Sequence, residues 1–187
     1  MIRILFISFC CWLSSLYSIA QSATPKIIAT VKNGQFTIGK AVVTKNWSAA
    51  SVLQVLGKKN DRRRAGYNTT HTFDKSGIVL FEKNDLQKLP TDTVSEIQFY
   101  LNFKQGDSNA VAPRQRFTGI LQIENLKITG NETPGVLEEM LYQYIVTDSY
   151  MEHNIRLAYK GLYFYFLFND TEDKLIKVSI GKDNRKY

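Results

Sequence analysis

The chain holds two histidines, His71 and His153, and each starts a short alternating segment: His71-x-Phe73 and His153-x-Ile155. A pair of imidazoles can bind a metal or relay a proton, but a metal site needs further ligands at suitable spacing, and none accompanies either histidine. Glu138 and Glu139 are adjacent on a helical stretch and point in different directions, which makes them a poor acid–base pair. No serine sits in a strand–turn–helix nucleophile context. We therefore expect no catalytic residue, no metal site and no cofactor, and classify the chain as a non-enzyme.

Two other groups suit binding. The first is the strand Gly161 to Phe168. Period two puts Leu162, Phe164, Phe166 and Phe168 on one face, and Tyr163, Tyr165 and Leu167 on the other. A one-sided sheet ordinarily shows charge or Thr where these tyrosines stand. Tyr tolerates water while offering a large apolar area, as an interface hot spot requires. Tyr159 and Tyr100, from neighbouring strands, join this candidate surface. The competing reading buries the rings in a core shared by two lobes. The second group is Lys58, Lys59, Arg62, Arg63 and Arg64, in the loop after the first helix. Guanidinium forks pair with carboxylates or phosphates, so the group reads as a contact for an acidic partner. The alternative is a solvated loop with favourable charge near a helix C-terminus.

The elements that must carry these residues follow from periodicity and capping. Phe36-x-Ile38-Gly39-Lys40-Ala41-x-Val43 reads as two short strands around a turn, and Leu121-x-Ile123-Glu124-Asn125-Leu126-x-Ile128 reads the same way, 85 residues later. At that offset Thr44 falls on Thr129 and Ser48 on Thr133, all placed as N-caps, with Pro134 at a first helical position. Val52, Val55 and Leu56 fall on Leu137, Met140 and Leu141, one apolar stripe per helix. Trp47 precedes the cap as a staple onto the helix. Each half continues with strands, ending in Glu96–Phe103, with Ile97, Phe99, Leu101 and Phe103 inward, and in Lys174–Ile180, with Ile176, Val178 and Ile180 inward. The predicted fold is α+β, with two similar lobes, 24–106 and 107–187. Each is a helix packed on an antiparallel sheet in the order β-β-α-β-β-β, and Lys104 to Pro113 link them.

The N-terminus reads as a secretory signal, residues 1–20. Arg3 precedes an apolar run, Ile4 to Leu16, of 13 residues, and a spanning helix needs about 20. Ser18-Ile19-Ala20 supplies small residues for cleavage near Ala20. Cys10 and Cys11 leave with the signal, so the mature chain lacks thiols, and the expected compartment is the bacterial periplasm or exterior. Charge is uneven. Residues 24–106 carry 13 Lys/Arg against 6 Asp/Glu, whereas residues 107–187 carry 10 against 11. The basic excess of the first half favours an acidic partner. An exported chain without a recognition motif is a poor nucleic-acid binder, and no membrane contact is expected after cleavage.

Leu56-Gly57, the basic turn Lys58 to Arg64, Tyr67 and Phe73-Asp74-Lys75-Ser76-Gly77-Ile78 resemble motifs of bacterial envelope domains grouped with β-lactamase inhibitor protein and with the small-protein-A-like assembly lipoproteins. The resemblance covers residues 34–103 and, through the repeat, 114–181. It implies a tandem binding protein that grips its partner on the concave face of a sheet. The function expected is an inhibitor or immunity-type protein blocking an acidic toxin or enzyme in the envelope. An envelope-assembly factor and a small periplasmic ligand-binding protein or hydrolase are the alternatives.

Overall fold

Alternating apolar residues and two-residue turns account for most of the chain's elements. The computed structural model describes residues 26–57, 61–103, 110–142, 147–151, 154–169 and 174–184. The expected leader, Lys58, Lys59 and His153 lie outside the described residues. Strands β1 (Ile28–Lys32), β2 (Gln35–Ile38) and β3 (Ala41–Val42) lead into helices α1 (Val43–Asn46) and α2 (Ala49–Leu56). Strands β4 (Arg62–Arg64), β5 (Asn68–Phe73), β6 (Ile78–Asn84) and β7 (Pro90–Tyr100) follow. The later half comprises β8 (Ile120–Ile123), β9 (Leu126–Ile128), α3 (Pro134–Leu141), β10 (Thr147–Met151), β11 (Asn154–Tyr159), β12 (Leu162–Phe168) and β13 (Leu175–Lys182).

The chain is α+β, with two sheets and few helices. One sheet has five strands in the order β3-β2-β1-β8-β9, and the other has eight in the order β10-β11-β12-β13-β7-β6-β5-β4. From β2 and from β8 onward the elements run in similar order: a hairpin, a helical segment (α1 and α2 in the first case, α3 in the second), then four strands. Neither half is the expected helix on its own antiparallel sheet, because the hairpins of both halves belong to one sheet and the later strands to the other. A fourth strand (β4, β10) follows each helix, and both strand sets share one sheet, joined where β7 pairs antiparallel with β13. The first of those extra strands contains Arg62–Arg64, which therefore occupy a sheet edge and not a loop. Strand β1 was also unforeseen. It lies between the hairpins, antiparallel to β2 and parallel to β8.

The five-stranded sheet and the helices pack on one face of the eight-stranded sheet. Val31, Phe36, Leu121 and Ile123 share a core cluster with Val52, Leu137 and Leu141, and with Leu80, Ile97, Phe99, Phe164, Phe166 and Ile180. Phe99 is central, edge-on to Phe36 at 6.3 Å and to Phe117 at 5.1 Å between ring centroids. Burying such a side chain stabilises the fold by roughly 1.5–3 kcal/mol. Two details of the expected pattern change. Phe103 is exposed, because β7 ends at Tyr100. Leu175, rather than Ile176, joins the core cluster, because the β12–β13 register slips between Leu167 and Phe168.

Local chemistry explains the boundaries. Ser48 caps α2 by accepting the Ser51 N–H. Asp92 accepts the Ser48 hydroxyl at 2.9 Å and the Ala50 N–H at 2.6 Å, which brings a carboxylate to the helix N-terminus. Thr44 sits inside α1, where its hydroxyl accepts the Phe36 N–H. At α3, Pro134 stands in the first turn, but Thr133 makes no side-chain cap bond. Glu132 shapes the approach by accepting the Thr129 and Gly130 N–H groups. Asn33 and Gly34 both have positive φ, as do Lys160 and Gly161, the geometry of tight two-residue hairpins. A Cβ on Gly34 would fall 2.7 Å from Lys160 Cβ, so these two turns abut and tie the sheets together.

Candidate functional site

The face of the eight-stranded sheet turned away from the core presents a polar and aromatic row. Cross-strand pairing places Glu96, Gly181, Tyr163 and Ala158 side by side, and next to them Gln98, Ser179, Tyr165 and Arg156. Tyr100 and Lys177 form the beginning of a third row. Glu96, Gln98, Arg156, Tyr163, Tyr165 and Lys182 line an open depression of about 720 Å3.

The side chains of this surface are bound to one another. The Tyr163 hydroxyl donates to Glu96 Oε2 at 2.6 Å, and Gln98 Nε2 donates to Glu96 Oε1 at 2.5 Å. Gln98 Oε1 in turn accepts from the Tyr100 hydroxyl at 3.2 Å and from Lys177 Nζ at 3.3 Å. Arg156 lies over the Tyr165 ring at 5.2 Å, and Lys177 over the Tyr100 ring at 5.6 Å, both within cation–π range. Burial, reinforced by the Glu96 charge and hydrogen bond, pushes the Tyr163 phenol far above its ordinary value, so it acts as a donor. Both oxygens of Glu96 are thereby occupied, while Arg156, Lys182 and Asp183 give the depression's lining charges of both signs. Ser179 Oγ, between Gln98 and Tyr165 in the second row, is buried with no hydrogen-bond partner among the described residues.

Tyr163 can lie across the sheet because Gly181 separates it from Glu96. A Cβ on Gly181 would stand 2.2 Å from the Tyr163 ring. A glycine within a strand often marks such a close approach, and it was the available signal for this site. Glu96, Gln98, Arg156, Lys177 and Gly181 were not among the expected site residues.

The expected residues divide. Tyr163 and Tyr165 lie together on the open face, half-buried. Tyr100 shares that face but is 2% exposed, so it supports the surface from below and offers little contact itself. Tyr159 belongs to the opposite face. The β11 alternation puts it beside Ile155 and Leu157, against the core. Burial raises its phenol above the ordinary value, with Glu124 accepting its hydrogen bond, and Lys160 lies over its ring at 5.1 Å.

Arg62 is not available to a partner. It forks onto Asp74, with Nε to Oδ2 at 3.1 Å and Nη2 to Oδ1 at 2.7 Å, and also donates to the carbonyls of Ala110 and Ala112. The Thr72 hydroxyl donates to the Val111 carbonyl. Residues 110–112 thus strap the open face over β4 and β5, leaving the depression at β7, β13, β12 and β11. Arg63 and Arg64 remain exposed. Burial alone would raise the Asp74 pKa. The Arg62 fork, the Arg114 N–H and both guanidinium charges outweigh this and hold it below its ordinary value. A carboxyl depressed on folding stabilises the protein fully above about pH 5 and loses that contribution as pH falls through its folded value. Acid unfolding followed by circular dichroism should therefore show a loss below about pH 4 that is reduced in Asp74→Asn. Equal acid sensitivity in the two proteins would refute this role.

His71 is buried, with Nε2 2.9 Å from Glu82 Oε2, while Glu82 Oε1 accepts the Asp92 N–H. This network leads to the α2 cap and is structural. Among the described residues no group of three His, Cys, Asp or Glu could hold a metal ion. None of their helices is long and apolar enough to cross a membrane.

Among solved structures, the chain is similar to a DUF4309 family protein from Bacillus subtilis subsp. subtilis str. 168, at 13% identity and a TM-score of 0.40, with 73% of this chain and 78% of that one covered. It is also similar to a cysteine-rich secretory protein from Staphylococcus aureus subsp. aureus Mu50, at 9% identity and a TM-score of 0.45, with 85% of this chain and 52% of that one covered. No curated protein matches. Residues 28–137 match the family described as a domain of unknown function, DUF7738, and the chain belongs to that family.

Proposed function

We propose that this chain is an exported protein-binding protein that meets its partner with the open face of the eight-stranded sheet. The observation that carries the reading is the half-buried pair Tyr163 and Tyr165 on that face, with Arg156 laid over the second ring. Tyrosine and arginine are the residues most often dominant in protein interfaces, and here both are held by neighbours before any partner arrives. The Tyr163–Glu96–Gln98 network limits the ordering cost of binding, and the Arg156 guanidinium beside the Tyr165 ring favours a partner carboxylate at that point.

The repeated element order supports a doubled unit with two similar lobes whose strand sets meet at β7 and β13. Together with the N-terminal signal pattern and the resemblance to tandem inhibitor modules, it favours an inhibitor or immunity-type protein of the bacterial envelope. A pull-down with the wild type, Tyr163→Ala and Arg156→Glu tests the surface. Each substitution is expected to weaken capture by roughly tenfold or more, as for an interface hot spot. Capture unchanged by both would reject the site. An immunity role further requires that deletion be harmful only in the presence of a neighbouring toxin gene.

A further inference from the structure

Two neighbouring turns at one end of the eight-stranded sheet expose large apolar side chains to no evident purpose. In the β6–β7 turn Leu86 is 97% exposed and Leu89 60%, and in the β4–β5 turn Tyr67 is 96% exposed. The turns are joined, since Asn84 Nδ2 donates to the Gly66 carbonyl at 3.0 Å and Asn84 Oδ1 accepts from Thr69. The leucine turn is also built. Asp85 N–H donates to the Leu89 carbonyl, Lys88 N–H donates to the Asp85 carbonyl, and Asp85 Oδ1 accepts the Leu89 N–H at 2.8 Å. Lys88 holds a φ of 62° within it. The fold thus fixes both leucines in water, where isolated apolar side chains gain nothing.

Charge around this tip is largely of one sign. Arg63 and Arg64 lead into the first turn, and Lys83 and Lys88 flank the second; all four are exposed, and Asp85 is engaged within its own turn. Arg64 and Lys83 lie on strands and stand back from the apolar tips. We infer that this tip docks on an anionic lipid surface, with Leu86, Leu89 and Tyr67 entering the interface and the four cations lying at the level of the headgroups. A convex apolar point fits a fluid surface that yields to it, whereas a protein partner would have to supply a matching pocket. Apolar and aromatic tips with basic residues behind them have the composition that partitions into an anionic interface. This departs from the expectation that the cleaved chain meets no membrane, and it uses none of the open-face residues.

The test is co-sedimentation with vesicles of phosphatidylglycerol and phosphatidylethanolamine, compared with phosphatidylcholine alone. Both the full chain and the chain from Gln21 are assayed, because Ile4 to Leu16 could itself engage lipid. The chain from Gln21 is expected to bind the anionic vesicles and to lose roughly tenfold or more in partitioning with Leu86→Asp plus Leu89→Asp. Lys83→Glu plus Lys88→Glu should weaken binding, most clearly at low salt, whereas Tyr163→Ala should leave vesicle binding intact even where it abolishes partner capture. These tip positions are exposed, so circular dichroism should show the variants folded. No binding to anionic vesicles, or binding unaffected by the double leucine change, overturns the proposal. So does a concentration-dependent dimer, seen by light scattering, that the leucine change dissolves.

Discussion

Gly181→Val is expected to destabilise the protein by about 3 kcal/mol and to dismantle the open-face network, because the new side chain needs the space of the Tyr163 ring. The Cβ alone would lie 2.2 Å from that ring and 2.6 Å from its hydroxyl oxygen. Gly181 is itself buried and pairs directly with both Glu96 and Tyr163. The ring has to swing off the sheet, losing its bond to Glu96 and leaving one carboxylate oxygen without that donor. Overpacking of this kind costs about 1–3 kcal/mol, and the broken hydrogen bond to a charged group adds about 1.5. Denaturant unfolding measures the effect. A second variant isolates the cause: Tyr163→Ala removes the obstructing ring, so the double change should cost clearly less than the sum of the two single ones. Additive effects, or a Gly181→Val protein within 0.5 kcal/mol of wild type by the usual range for neutral substitutions, would show that the ring does not depend on the glycine.

Asp74→Ala is expected to cost about 2–4 kcal/mol and to release the strap at residues 110–116. The Asp74 carboxylate accepts from Arg62 and from the Arg114 N–H, and the Asp74 carbonyl accepts from the Gln115 N–H. Its own N–H donates to Asp61. Removing the carboxylate leaves the guanidinium without its counter-ion, with only the Ala110 and Ala112 carbonyls as acceptors, and leaves the Arg114 N–H without its acceptor, the expensive way to break a pair. The Arg62 side chain is 35% exposed, so water recovers part of the loss and places the figure below that of a fully buried pair. Hydrogen exchange should rise at Gln115 and Phe117, whose N–H groups donate to the Asp74 and Tyr100 carbonyls. Arg63→Ala and Arg64→Ala, on the same strand but exposed, should fall within about 0.5 kcal/mol of wild type. If all three variants unfold alike, the clasp has no special role.

Several parts of this arrangement were legible in the chain. The Ser48 cap, the Phe face of Gly161–Phe168, the alternation of Ile97 and Phe99 with Gln98 and Tyr100, and the hairpins at Phe36 and Leu121 all depend on residues within a few positions of one another. Side-chain period, cap chemistry and turn chemistry act at that range, and they set the α+β class and the faces of individual strands. The short strands escaped notice for the same reason. Arg62–Arg64 has no apolar alternation, because its pairing with β5 and its fork onto Asp74 hold it at the edge.

Pairing between distant segments lay beyond local rules. The bond from Tyr163 to Glu96 joins residues 67 positions apart, and Arg62 meets a carbonyl 50 positions away. Strand alternation states that Tyr159 and Tyr163 each have a preferred face, but the register of β11 on β12 decides that those faces are opposite. The sequence by itself determined the longer strands and the two main helices, and which side chains share a face of each. Only the tertiary structure decided which tyrosines meet Glu96, which arginine is spent on Asp74, and that both strand sets form one sheet. Those outcomes follow from strand order and register, which are settled by the packing of the whole core.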